Sequence, residues 1–215
     1  MPESPVPYPV FLDLWEKTCV VVGGGPVGER KVRGLLGAGA RVVLIAPAAI
    51  DGLADLAESG RIAWVRRGYR SGDLEGSCLA FAATDSPQVN RAVQAEAQKR
   101  GIFLNVADGS APGNFTVPSV LRRGPLGVAV SSGGASPAYS RLVRERLEAF
   151  LGPEHGAFLA YLAALRPKVR ERFPHSPDRR AAVWQRLVRW ETLELVRQDR
   201  WDQIEEMVSE CLSSS

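Results

Sequence analysis

The residues of this chain whose types and spacing could do chemistry begin with Gly23-x-Gly25-x-x-Gly28, set directly behind the apolar, β-branched run Thr18–Val22. In a strand–turn–helix unit the first glycine permits a tight turn. The second lets backbone approach a pyrophosphate, and the third lets the helix pack closely on the strand. Pro26 falls in the first helical turn, where its missing N–H costs nothing. Exposed N–H groups and the positive helix end favour a phosphate there. Gly23, Gly25, Pro26, Val27 and Gly28 are therefore candidate cofactor contacts. A glycine-rich turn in some other α/β protein is the competing reading; the strand before and the helix after favour a dinucleotide.

Two other strand ends carry polar groups, Thr84-Asp85 and Asn105 to Asp108. In an open parallel sheet these should converge with the glycine loop on one crevice. The fingerprint usually continues with an acid at the end of the second strand, to bind ribose hydroxyls. Here that end reads Ala46-Pro47-Ala48-Ala49, with no arginine for a 2′-phosphate either. The motif alone leaves NAD and NADP open. A second anion-binding candidate is Ser131-Ser132-Gly133-Gly134-Ala135-Ser136-Pro137, a Ser/Gly loop entering a helix. Ser136 suits an N-cap and Pro137 the first helical position. Arg141 and Arg144, one turn apart, share a face suited to carboxylates or phosphates. A well-capped helix after a flexible turn explains the same residues.

The elements that must position these groups follow from periodicity. Near-continuous apolar runs at Thr18–Val22, Arg41–Ala46, Ile62–Val65, Cys78–Ala83 and Ile102–Val106 read as parallel strands buried on both faces. Helices are expected from Pro26 to Ala38, from Ile50 to Ser59 and from Pro87 to Arg100. This alternation predicts a doubly wound, Rossmann-like α/β sheet. Pro9 to Leu14 reads as a short leading strand, and Arg66, Arg67 and Arg70 as a solvated loop. From Asn114 the pattern changes: Phe115 to Leu121 and Leu126 to Ser131 read as a hairpin, followed by a helix to about Phe150. The remainder is helical, with core stripes at Phe158, Leu162, Leu165 and Val169, at Trp184, Leu187 and Val188, and at Trp201, Ile204, Val208 and Leu212. The expected divisions are 1–113, 114–150 and 151–215.

Composition narrows the class. The 215 residues are 45% hydrophobic and 24% charged, as in ordinary globular proteins. No apolar run approaches the roughly 20 residues that span a bilayer, and the first residues lack a signal-peptide pattern. No membrane association and a cytoplasmic location are expected. Three cysteines, Cys19, Cys78 and Cys211, make no disulfide framework and read as buried small hydrophobes. Only His155 and His175 are present, which excludes a His-rich metal site. The net charge of +3 is carried largely by arginine, and no aromatic-interleaved basic run points to nucleic acid.

At Gly-Gly-Gly-Pro-Val-Gly-Glu-Arg-Lys (23–31) the chain resembles the precorrin-2 dehydrogenase/sirohydrochlorin ferrochelatase family, the N-terminal module of sirohaem synthase. The resemblance continues through Ala83-Thr84-Asp85 with Asn90, Asn105-Val106-Ala107-Asp108, Phe115-Thr116-Val117-Pro118 and Ala129 to Pro137. It spans roughly residues 8 to 150. It implies NAD as cofactor, precorrin-2 oxidised to sirohydrochlorin, and in many members insertion of ferrous iron, which enters as substrate and not as a resident metal. It also implies a homodimer, with 114–150 as a small α+β dimerisation region and a C-terminal helical region closing the cleft.

Dehydrogenation removes a hydride and a proton, so the site needs a proton acceptor. The resemblance assigns that role to Asp108, after the fifth strand; an Asx-turn before Gly109 is the alternative. The polycarboxylate substrate makes Asn114, Ser131, Ser132, Gly133, Ser136, Arg141 and Arg144 candidate substrate contacts. Pro47 and Ala48 would replace the missing acid through main-chain contacts, with Thr84 on the adenosine or nicotinamide side. Two alternatives stay open: a dehydrogenase served by a separate chelatase, and a non-catalytic dinucleotide sensor that would need the glycine loop but not Asp108.

Overall fold

The computed structural model describes residues 7–107, 109 and 111–213. The chain divides into two compact units, one ending at Val117 and the other beginning at Pro118. In the first unit β1 (Thr18–Val22), β2 (Arg41–Ile45), β3 (Ala63–Val65), β4 (Leu79–Ala82) and β5 (Phe103–Val106) form one sheet in the order β3-β2-β1-β4-β5. All four pairings are parallel. The strands read as continuous apolar runs because both faces are covered. Cys19 and Val21 enter one core with Leu44, Leu79 and Phe81, while Val20 and Val22 enter another with Ala80, Ala82 and Leu104.

The helices divide between those faces. From α1 (Pro26–Leu36), Val32 and Leu35 join the first core, as do Leu53 and Leu56 of α2 (Asp51–Glu58). From α3 (Pro87–Arg100), Val93 and Ala97 join the second. The crossover therefore changes face between β1 and β4, which are neighbours. That reversal opens a crevice outside their carboxyl ends.

Several expectations change. Residues 9–14 form no strand. Pro7 and Pro9 lack the N–H donors a ladder needs, and Val10, Phe11 and Leu12 lie exposed. Cys78 is exposed, not buried. Burial, then the neighbouring Cys78, pushes the Cys19 thiol up to about 12. Arg67 is no freely solvated side chain: it grips Asp73 through two 2.7 Å hydrogen bonds. Arg66 lies over the Trp64 ring.

The second unit opens with the antiparallel hairpin β6 (Ser119–Arg123) and β7 (Leu126–Val130). β6 starts four residues later than its apolar run suggests, beyond Pro118, which cannot donate to a ladder. Then come α4 (Pro137–Phe150), α5 (Pro153–Arg172), α6 (Pro177–Leu187), α7 (Trp190–Arg197) and α8 (Trp201–Ser213). Leu165, Val169, Leu187 and Val208 share one core, and Phe158, Leu193 and Ile204 another. Val188 lies just past α6 and is exposed, so it leaves the expected stripe. Among the described residues no helix is long and apolar enough to cross a membrane.

Candidate functional site

The glycine loop occupies the turn from β1 into α1, at the crevice. Gly23 is held at the sheet edge by its N–H donating to Ile45 O at 3.0 Å, with φ +122. A Cβ there would stand 2.2 Å from Ala83 O at the end of β4. A Cβ on Gly28 would stand 2.1 Å from Gly23 O, so helix and strand approach as closely as backbone allows. Gly25 differs: its Cβ would meet nothing within 4 Å. It caps α1 with extended backbone and no side-chain partner, and Pro26 follows at the helix start. A space left open at a helix N-terminus is what a pyrophosphate requires. Gly23 and Gly28 are thus closed in by backbone, while Gly25 borders open space.

Gly24 was not singled out by the spacing, yet it ties the loop to the second strand's end. Its carbonyl accepts from the Ile50 N–H at 3.0 Å, and a Cβ on it would stand 2.1 Å from Ala48 O. The unbroken Gly-Gly-Gly run was the available signal. This contact brings the Pro47-Ala48 turn against the glycine loop. Pro47 and Ala48 are both exposed, and α2 begins at Asp51. No acidic side chain stands at Pro47 or Ala48.

Thr84 follows β4 and is fixed by Asn90, which is fully buried on α3. The Thr84 hydroxyl donates to Asn90 Oδ1 at 2.8 Å, and Asn90 Nδ2 donates to Thr84 O at 3.0 Å. The Ser86 N–H donates to Thr84 Oγ1 at 3.2 Å, and Ser86 Oγ caps α3 by accepting from Val89. Gly23, Gly25, Pro26, Val27, Gly28, Pro47, Ala48 and Thr84 therefore gather on one edge, outside the ends of β1, β2 and β4. Asn105 belongs to the same edge through β5, paired in register with Phe81, and its Nδ2 donates to Phe115 O at 3.2 Å. Asp108 lies outside the described residues.

Asn114 does not present a free amide. Its Oδ1 accepts from Leu104 N at 2.7 Å and its Nδ2 donates to Ile102 O at 3.2 Å, clamping the segment after β5 back onto that strand. In the second unit, Ser132 Oγ accepts from Ser136 N and donates to Ser136 O, closing the serine loop. Ser136 caps α4 by accepting from Tyr139 N, and the Gly133 N–H donates to Ser131 Oγ. Arg141 pairs with Glu145 at 2.8 Å, and Arg144 pairs with Glu145 and Glu148. An incoming carboxylate would have to compete with those acids. Among the described residues no group of three His, Cys, Asp or Glu could hold a metal.

Comparison with known proteins accounts for this order of elements. Residues 10–119 match the family described as "Putative NAD(P)-binding". Residues 123–149 match "Sirohaem biosynthesis protein central", and 154–212 match "Sirohaem synthase dimerisation region". Sirohaem synthase of Nitrosomonas europaea is 42% identical over 208 residues, covering 96% of this chain and 44% of that protein. Sirohaem synthase 1 of Aeromonas salmonicida is 44% identical over 180 residues, covering 84% of this chain and 38% of that protein. The chain thus spans less than half the length of these relatives. Among solved structures, SirC, described as a precorrin-2 dehydrogenase, superposes with a TM-score of 0.78 at 25% identity. The match covers 93% of this chain and 99% of that one.

Proposed function

The chain belongs to the precorrin-2 dehydrogenase family that forms the N-terminal module of sirohaem synthase, and on that premise we propose that it oxidises precorrin-2 to sirohydrochlorin with NAD+. The observation that carries the reading is the loop at the change of sheet face. Gly23 and Gly28 are closed by backbone, while Gly25 alone opens to a ligand. The sirohaem matches over 123–149 and 154–212, behind the NAD(P)-binding match over 10–119, supply the substrate class.

NAD+, when bound, supplies the hydride acceptor. The chain's own residues do the rest. The Gly25–Gly28 turn holds the pyrophosphate with main-chain N–H groups. Main chain at Pro47-Ala48, tied to the loop through Gly24, takes the ribose. Thr84, fixed by buried Asn90, walls the site at β4. Asp108 receives the proton that leaves the macrocycle as the hydride departs, so that precorrin-2 and NAD+ give sirohydrochlorin, NADH and a proton. Asn114, Ser131, Ser132, Gly133, Ser136, Arg141 and Arg144 are proposed to serve the substrate's carboxylates. For Asn114 and the two arginines this means exchanging the partners they hold at present.

The reading includes a homodimer, supported by the dimerisation-region match, and a location in the cytoplasm. It also extends to iron insertion, for which the same carboxylate would accept the pyrrole N–H protons as Fe²⁺ enters. One experiment separates the two activities. Fresh precorrin-2 is turned over with NAD+, and Fe²⁺ is then added to the same cuvette. NADH and sirohydrochlorin should form first, then sirohaem faster than in a protein-free blank. NADH without accelerated metal insertion would leave a dehydrogenase served by a separate chelatase.

A further inference from the structure

Lys31 lies five residues into α1 from Pro26, next in sequence to buried Val32. Its Nζ stands 5.2 Å from the centroid of the Phe81 ring. Phe81 is the penultimate residue of β4, pairs in register with Asn105 of β5, and meets Phe115 edge to face at 5.5 Å. Helical side chains lean towards the helix N-terminus, which carries this ammonium towards the glycine-loop end of α1. Lys31 is half-buried, and among the described residues it forms no ion pair with a carboxylate. Burial, then the neighbouring Arg30 charge, holds its ammonium below the usual lysine range. An ammonium partly withdrawn from water without a counter-charge is costly unless something supplies one. The aromatic face supplies only part of it.

Two other helical cations of this unit are paired. Arg33, two residues on, is paired with Glu29 at 2.6 Å, and Arg100 is paired with Glu96 at 2.8 Å. Lys31 is set apart by its position over Phe81 near the end of β4, one of the two strands whose carboxyl ends border the crevice. The pyrophosphate already has the Gly25–Gly28 backbone on the β1 side. Lys31 stands on the β4 side, over Phe81, which pairs in register with Asn105 of β5.

We propose that Lys31 is an anchor for a substrate carboxylate, its ammonium held on the Phe81 ring so that an anionic arm of the macrocycle completes its pairing. This rests on the dehydrogenase reading above and adds a residue to it. A single carboxylate held this way orients the macrocycle over the nicotinamide end without taking part in hydride or proton transfer.

The test compares wild type with Lys31→Met, Lys31→Gln, Lys31→Arg and the control Arg30→Met, which removes an exposed charge from the same helix. Thermal unfolding establishes which variants are folded. Sirohydrochlorin affinity is read by fluorescence quenching without NAD+, and KM values for precorrin-2 and NAD+ are read from NADH formation. Loss of one charge-assisted contact should raise the sirohydrochlorin Kd and the precorrin-2 KM about tenfold in Lys31→Met and Lys31→Gln. The KM for NAD+ should hold within about twofold, Lys31→Arg should recover most of the loss, and Arg30→Met should change neither. Unchanged tetrapyrrole affinity in a folded Lys31→Met or Lys31→Gln protein would overturn the proposal. So would a rise confined to the KM for NAD+, which would make Lys31 a phosphate contact. A wild-type chain that bound sirohydrochlorin but made no NADH would instead overturn the dehydrogenase reading and leave the anchor standing.

Discussion

Gly28 faces Gly23 across the turn from β1 into α1 so closely that a Cβ on Gly28 would lie 2.1 Å from the Gly23 carbonyl oxygen. Neither partner is a flexible side chain that could move aside. Gly28→Ala must therefore separate helix from strand, and the variant should lose several kcal/mol or fail to fold, on the order of a severe overpacking change. Gly25→Ala adds its methyl to open space. It should melt within a few degrees of wild type yet bind NAD+ at least about tenfold more weakly, because the methyl occupies the approach to the phosphates. Thermal unfolding beside an NAD+ titration checks both. Equal losses of stability in the two variants would contradict this division of labour.

Glu96 provides a pH prediction away from the site. It is 8% exposed and accepts hydrogen bonds from Tyr69, Gly72, Leu74 and Arg100. Burial pushes its carboxyl up, but those four donors together outweigh burial and hold it below the usual range. A carboxylate depressed in the folded state stabilises the fold above its unfolded pKa, about 4.3, and that stability is lost as pH falls through the folded value. Glu96→Gln should therefore cost about 2 kcal/mol at neutral pH. The gap to wild type should narrow below about pH 4. Urea unfolding across that range tests the sign, and a gap that widened on acidification would refute it.

The hairpin-and-helix segment predicts an assembly. On α4, Tyr139, Leu142 and Phe150 are 61%, 54% and 61% exposed, a stripe that a lone protomer leaves in water. Leu142→Glu should shift the sedimentation coefficient from dimer towards monomer while far-UV circular dichroism stays unchanged. A variant as dimeric as wild type would place the interface elsewhere.

Much of this was legible in the sequence because single physical demands dominated. Val20, Val21 and Val22 have to be apolar together when α3 covers one face of the sheet and α1 and α2 the other. Gly23, Gly25 and Gly28 keep the spacing that one turn and one phosphate impose. The misreadings arose where local chemistry overrode periodicity, as prolines 7 and 9 kept residues 9–14 out of the sheet and Pro118 delayed β6 to Ser119. Partnerships set by the fold were not readable at all. Arg67 finds Asp73 across a loop, Gly24 meets Ala48 from another strand's end, and Asn114 spends its amide on the backbone of β5. Lys31 reads in the sequence as one more charge on a helix; its place over Phe81 comes from the pairing of β4 beside β1.

The proposed reaction takes a hydride to NAD+ and a proton to Asp108 from precorrin-2. The most direct measurement is NADH and sirohydrochlorin formation from fresh precorrin-2 by wild type and Asp108→Asn, with NAD+ affinity measured on both. Wild type should yield NADH and sirohydrochlorin in equal amounts. Asp108→Asn should bind NAD+ as wild type does but turn over at least about a hundredfold more slowly, as expected when a general base is removed. Wild-type rates in Asp108→Asn, or no NADH from the wild-type chain, would contradict it.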